Sequence, residues 1–328
     1  MNTSTSCPDL PLQSGCPSHW NRDFILFYSV HIFALVTSTI SFLACVTVIL
    51  NVIRNKLCES RKNVVDRFPL YIAVNDALFC TMHGIDQLIL LVTEVYPAKW
   101  VVFVLGSSTM FLYWYQQVMY ASIAIYTYMD VSCRKQISTG RLDWKLHTIS
   151  ASLAGVAVTI LYFLDGIGIS RFWQGELLLT LLRMGGHESN PTTGIYFILG
   201  SLLFTTTQAI CTISAYSAIR RIVLNYKNGL EIGQVSNSYH DTAAQCLLTF
   251  VKIGVILYLP AALLFWMIAL DNVLGERLKQ VEPFYDFGIF LMVLVYNAGG
   301  FVNTVGYFSN QRIKRDRRRE SELAKLNA

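Results

Sequence analysis

Apolar residues fall in seven long blocks along the chain, at roughly 24–52, 68–92, 100–129, 146–169, 192–224, 243–270 and 284–308. Each block is long enough, coiled as a helix, to cross a hydrocarbon layer about 30 Å thick. The connections are short, the longest lying near 170–191 and 225–242, and neither an internal repeat nor a low-complexity segment interrupts the pattern. The block from Val101 to Met129 organises the others, because it carries no charge until Asp130 closes it. It measures ~43 Å as a helix and must lean or extend past both interfaces, so it crosses several neighbours. Tyr113, Trp114, Tyr115, Gln116, Gln117, Tyr120, Ser122, Tyr126, Thr127 and Tyr128 make it too polar for a lipid-bathed helix. Such groups need partners in hydrocarbon, which predicts a position inside a helix bundle. The pattern therefore predicts an all-α membrane protein, a seven-transmembrane helix bundle.

Composition and charge add a class and an orientation. Of 328 residues 53% are hydrophobic and only 14% charged, about half the charged share usual in a soluble domain. The net charge of +5 matters less than where its basic residues fall. Twenty of the 26 Lys and Arg lie in segments at one side of the membrane, from Arg54 through Arg134 and Arg220 to the tail from Arg312 to Lys325. The positive-inside rule puts that side in the cytosol, leaving the N-terminus outside and the C-terminus cytosolic in the plasma membrane. Met1 to Ser4 show no basic stretch leading into an apolar core, so the first block is expected to act as a signal anchor. The expected organisation is an extracellular segment 1–23, a bundle 24–308 and a basic cytoplasmic tail 309–328 that attracts anionic lipid. Asn2 opens a glycosylation sequon. Of eight cysteines only Cys7 and Cys16 lie outside the blocks on the extracellular side; whether they pair stays open. No Cys or His spacing suits a metal, and no nucleic-acid partner is expected.

Charged and amide side chains inside the blocks are the candidate chemistry. Asp76 falls near mid-depth of the second block, where a carboxylate needs a partner or a role. Asn303 and Tyr307, four apart in the seventh block, share a helix face that is expected to meet it. Pro260 is expected to kink the sixth block below Trp266, and Asp130 precedes Arg134 by one turn at the end of the third. These six residues, Asp76, Pro260, Asn303, Tyr307, Asp130 and Arg134, form the expected signalling core. The plainer readings are a polar anchor, a passive proline and a surface ion pair.

A ligand cavity is expected further out. Tyr113, Gln116, Gln117 and Tyr120 recur at i, i+3, i+4 and i+7, one polar stripe on the third helix. With His83, Asp86, Trp266 and Asp286 they are expected to line a cavity open to the outside, suited to a small and partly apolar molecule. The competing reading is that the stripe only satisfies its own polar groups between helices.

Two passages carry a resemblance. The runs IAIYTYMDVSCR and GGFVNTVGYFSNQRIKR, with Ala124, Tyr126, Tyr128, Gly300, Phe301, Asn303 and Tyr307, resemble the cyclic-AMP-receptor-like group of G-protein-coupled receptors. Val74 to Ala77 is similar to that group's passage in its second span. The resemblance implies a receptor that senses an extracellular small-molecule ligand and activates a heterotrimeric G protein. The chain departs from the group in having no cysteine within 101–129 or 171–193, and no Trp or Pro within 151–159. Among other classes, a retinal pigment needs a Schiff-base lysine that 284–308 lack, and an intramembrane zinc hydrolase needs histidines absent from the last three blocks. Neither an enzyme nor a cofactor is expected; a small transporter or carrier is the alternative.

Overall fold

The computed structural model describes residues 24–56, 64–93, 98–131, 133, 135, 137–167, 170–172, 176–179, 191–227, 249, 253, 263, 266, 267, 270, 291, 293–295 and 297–326. Helix α1 spans Phe24–Lys56, α2 Val64–Thr93, α3 Lys99–Val131, α4 Trp144–Phe163 and α5 Pro191–Lys227, and α6 runs from Gly299 to Leu326. The described positions between 249 and 297 are all helical. Among the described residues four helices are long and apolar enough to cross a membrane, at Tyr28–Arg54, Arg67–Thr93, Trp144–Phe163 and Thr192–Ala218. α3 is as long, but its Tyr, Gln, Ser and Thr side chains dilute its apolar character.

Packing explains why those polar groups are tolerated. α3 lies against α2, α4 and α5, while α1 and α2 pack on one another and on α6. Tyr113, Trp114, Met119, Tyr120 and Ile123 of α3 are all buried, whereas α4 and α5 turn Ile149, Val156, Phe163, Leu199, Leu203 and Ile213 outward. α3 is thus the inner helix, and the outward apolar rows are those a lipid would cover.

Three boundaries differ from the apolar pattern. The fourth block reads apolar to residue 169, yet α4 ends at Phe163. Asp165 takes a left-handed conformation at φ 50. Its N–H then reaches the Tyr162 carbonyl (3.0 Å) and that of Gly166 the Leu161 carbonyl (2.8 Å), the paired bonds of a Schellman cap. In the connection that follows, Ser170–Phe172 (β1) and Glu176–Leu179 (β2) pair antiparallel, Arg171 opposite Leu177. The expectation of a purely helical chain is amended by that hairpin, whose strands are too short for an alternating pattern to show. The third difference is at the end: α6 continues unbroken past Phe308 to Leu326, carrying the basic tail as helix.

α6 opens on Gly299 and Gly300, directly after a turn residue at Ala298, yet helical hydrogen bonds bracket the pair. Ala298 N–H bonds the Leu294 carbonyl (2.9 Å) and Val302 N–H the Ala298 carbonyl (3.0 Å), so the ladder continues through them. The reason for a glycine is proximity to α1. A Cβ on Gly300 would stand 2.5 Å from Cys45 Sγ and 3.0 Å from the Ser41 carbonyl oxygen. The close approach lets Ser38 Oγ donate to Asn297 Oδ1 (2.6 Å) and Ser41 Oγ donate to the Asn297 carbonyl.

Candidate functional site

Where α2, α3 and α6 meet, five side chains form one buried hydrogen-bonded network around Asp76. The carboxylate is 3% exposed, a position that leaves its charge to neighbouring donors. Gln116 of α3 donates through Nε2 to Asp76 Oδ1 (2.6 Å), and Asn303 of α6 donates through Nδ2 to Asp76 Oδ2 (2.7 Å). Each amide is held at its other end. Asn75 Nδ2 donates to Gln116 Oε1 (3.2 Å), and the Tyr120 hydroxyl donates to Asn303 Oδ1 (2.8 Å). Both amides are therefore oriented twice over, with N–H toward the carboxylate and C=O away from it. Such a network is a directional tie between three helices, stiff while complete and costly when one member changes.

A companion contact joins α1 to α6: Asn51 Nδ2 donates to the Tyr307 hydroxyl at 3.1 Å. Asn303 thus meets Asp76, as its shared face with Tyr307 predicts, while Tyr307 turns to Asn51. Asn51 was legible as the lone amide in the apolar run VTVILNVI, yet a single Asn does not reveal its partner.

A second cluster ties the start of α2 to the turn that precedes α4. Arg67 grips Asp143 with two bonds, Nε to Oδ2 at 2.7 Å and Nη2 to Oδ1 at 2.9 Å. The Tyr71 hydroxyl adds 3.0 Å to Oδ2 and the Thr139 hydroxyl 2.6 Å to Oδ1. Asp143 is fully buried and left-handed at φ 58, the backbone state that turns its carboxylate back toward α2. Burial alone raises a carboxyl pKa, but here bonds from Arg67, Thr139 and Tyr71 outweigh it and hold Asp143 below its usual range. His147 continues the contact inward, its ring 4.3 Å from Tyr71 and its Nδ1 2.5 Å from the Tyr115 hydroxyl of α3. Of these residues the sequence pattern marks only Tyr115, as a polar group of α3 in need of a partner. The spacing Thr139-x-x-x-Asp143 before a helix was the available signal, and it named a turn without its partner on α2.

The residues expected at a ligand cavity separate into distinct places. Gln116 and Tyr120 belong to the Asp76 network. Gln117 faces α5 instead, where Gln208 Nε2 donates to its carbonyl and to its side-chain oxygen, both at 3.2 Å. Tyr113 is buried edge-on against Trp114, with ring centres 5.3 Å apart. Trp266 donates through Nε1 to Ser201 Oγ of α5 at 2.5 Å. His83 and Asp86 are both buried in α2, His83 stacked on Phe79 and its neighbour Gln87 paired with His31 of α1. Asp130 closes α3, with its side chain outside the described residues. Arg134, Pro260, Asp286, Cys7, Cys16 and Asn2 lie outside them altogether.

No family model matches the sequence, and no curated protein matches it. Among solved structures the chain is similar to squid rhodopsin, with a TM-score of 0.66 and 14% identity over 92% of this chain and 89% of that one. At that identity the likeness is one of fold. The chain has a rhodopsin-like helical fold, and four of its helices among the described residues are long and apolar enough to cross a membrane.

Proposed function

We propose that the chain is a seven-span receptor of the G-protein-coupled type in the plasma membrane, its N-terminus outside and its tail in the cytosol. The observation that carries this reading is the Asp76 network, which ties α2, α3 and α6 together inside a rhodopsin-like fold. A bundle joined at one buried directional node has few ways to rearrange, so a small change at one end is passed on as a discrete shift. The basic bias of 20 in 26 supports the orientation, and the runs around Tyr126 and Asn303 support a cyclic-AMP-receptor-like relationship.

In this reading a small, partly apolar molecule enters from the outside near Tyr113, Gln117 and Trp266. It stabilises a state in which the sixth span bends at Pro260, with Asp286 at the mouth of the cavity. A heterotrimeric G protein then docks among the basic cytosolic connections, beside Asp130 and Arg134. The tail from Arg312 to Lys325 sits near anionic lipid. The seventh span holds no lysine between 284 and 308, so the likeness to rhodopsin carries over as a fold and not as a photopigment.

The test is nucleotide exchange on purified heterotrimeric G proteins, with the full chain in lipid nanodiscs and a panel of candidate small molecules. Acceleration that depends on the chain supports the reading. A panel of G proteins that all exchange at their intrinsic rates, with every molecule tried, counts against it.

A further inference from the structure

We propose that Ser138 is a phosphorylation site, and that a phosphate there opens the clasp that Arg67 and Asp143 form between α2 and the turn before α4. The segment reads Arg134-Lys135-Gln136-Ile137-Ser138-Thr139. Basic residues three and four places before a serine are what basophilic protein kinases recognise, because their acidic substrate grooves bind such side chains. Geometry separates Ser138 from the hydroxyl beside it. Ser138 is exposed in a non-helical stretch running from 137 to 140, the open backbone that a kinase cleft requires. Thr139 is half-buried and its hydroxyl is committed to Asp143 Oδ1 at 2.6 Å.

In the reaction the Ser138 oxygen attacks the γ-phosphorus of ATP. The bond from that phosphorus to the β–γ bridging oxygen breaks, ADP leaves, and the serine proton passes to the kinase's base. The product carries close to two negative charges one residue from the Thr139–Asp143 contact. Two consequences follow from charge alone. The new dianion repels the Asp143 carboxylate, and it competes for the Arg67 guanidinium, whose side chain is 23% exposed. Asp143 is buried and gripped by four bonds, so a weakened hold on it releases the turn and its two backbone ties. Those are Asp143 N–H to the Gly140 carbonyl (3.3 Å) and Lys145 N–H to the Thr139 carbonyl (3.2 Å).

The inference rests on the proposed orientation in one respect, since ATP and kinases act in the cytosol. The experiment therefore uses the purified full chain in detergent, where neither face is hidden, so a wrong orientation fails in cells and not here. The chain is treated with a basophilic serine kinase and ATP. Trypsin then frees the peptide from Gln136 to Arg141 for mass spectrometry, and amide hydrogen exchange is followed at Asp143 and Lys145. One phosphate is expected on Ser138, with exchange at both amides roughly tenfold faster. Ser138→Ala should keep the slow rate after the same treatment. Arg67→Lys, which keeps the charge and loses the two-pronged grip, should exchange faster before treatment and gain little from it. An unmodified Ser138 would overturn the proposal, as would a phosphorylated Ser138 with both amides exchanging as slowly as before.

Discussion

At Asp76 the hydrogen bonds have a direction, and that makes the network testable one atom at a time. Asp76→Asn replaces one acceptor oxygen with an N–H donor facing an amide that already donates. Gln116 cannot turn to accept without losing Asn75, nor Asn303 without losing Tyr120. One bond must break, at a cost of about 1–3 kcal/mol for a buried unsatisfied group. The swap Asp76→Asn with Asn303→Asp restores every bond, because an aspartate at 303 accepts from both Tyr120 and the new amide. Thermal unfolding in detergent should show the swap more stable than either single variant; three equal losses would deny the directionality. The clasp has a pH signature instead. Asp143 has a folded pKa below its unfolded value of about 3.9, so its contribution is present above that value and lost as pH falls through the folded one. A fluorophore on exposed Cys133, in a variant lacking the other thiols, should keep a steady anisotropy down to about pH 4 and lose it below. Asp143→Asn should show the mobile signal at every pH.

Among the elements, α1 and α6 approach through Gly300. Gly300→Ala places a methyl against Cys45 Sγ and the Ser41 carbonyl, neither of which is the end of a flexible chain. It should cost about 1–3 kcal/mol and loosen the Ser38–Asn297 bond. Cys45→Ala should restore part of the loss, since the Ser41 backbone remains in the way; full recovery would mean that only the sulfur matters. How much of this was legible follows from what each signal can carry. The lengths of α1, α2, α3 and α5 were readable because an apolar run reports the hydrocarbon it must cross. The end of α4 was not, since Asp165 stops it by backbone conformation within a run that stays apolar. Depth and a shared helix face point Asn303 and Tyr307 alike toward Asp76, but only Asn303 bonds it, while Tyr307 takes Asn51. The stripe of Gln116 and Tyr120 shows which face of α3 is polar and not which neighbour meets it. The clasp went unread because Arg67 and Asp143 are far apart in sequence, and each alone looks like an interfacial charge.

For the whole molecule, the proposed function depends on which face meets the cytosol. The rhodopsin-like fold is insensitive to that choice, and the buried network would look the same with the chain inverted. In the proposed function, orientation rests on the basic residues, which would place the loops around Ser138 and the proposed G-protein surface in the cytosol. The most direct measurement puts one epitope tag before Met1 and another after Ala328, and stains cells intact and then permeabilised. The N-terminal tag should stain on intact cells and the C-terminal tag only after permeabilisation. A C-terminal tag that stains on intact cells would contradict the receptor reading.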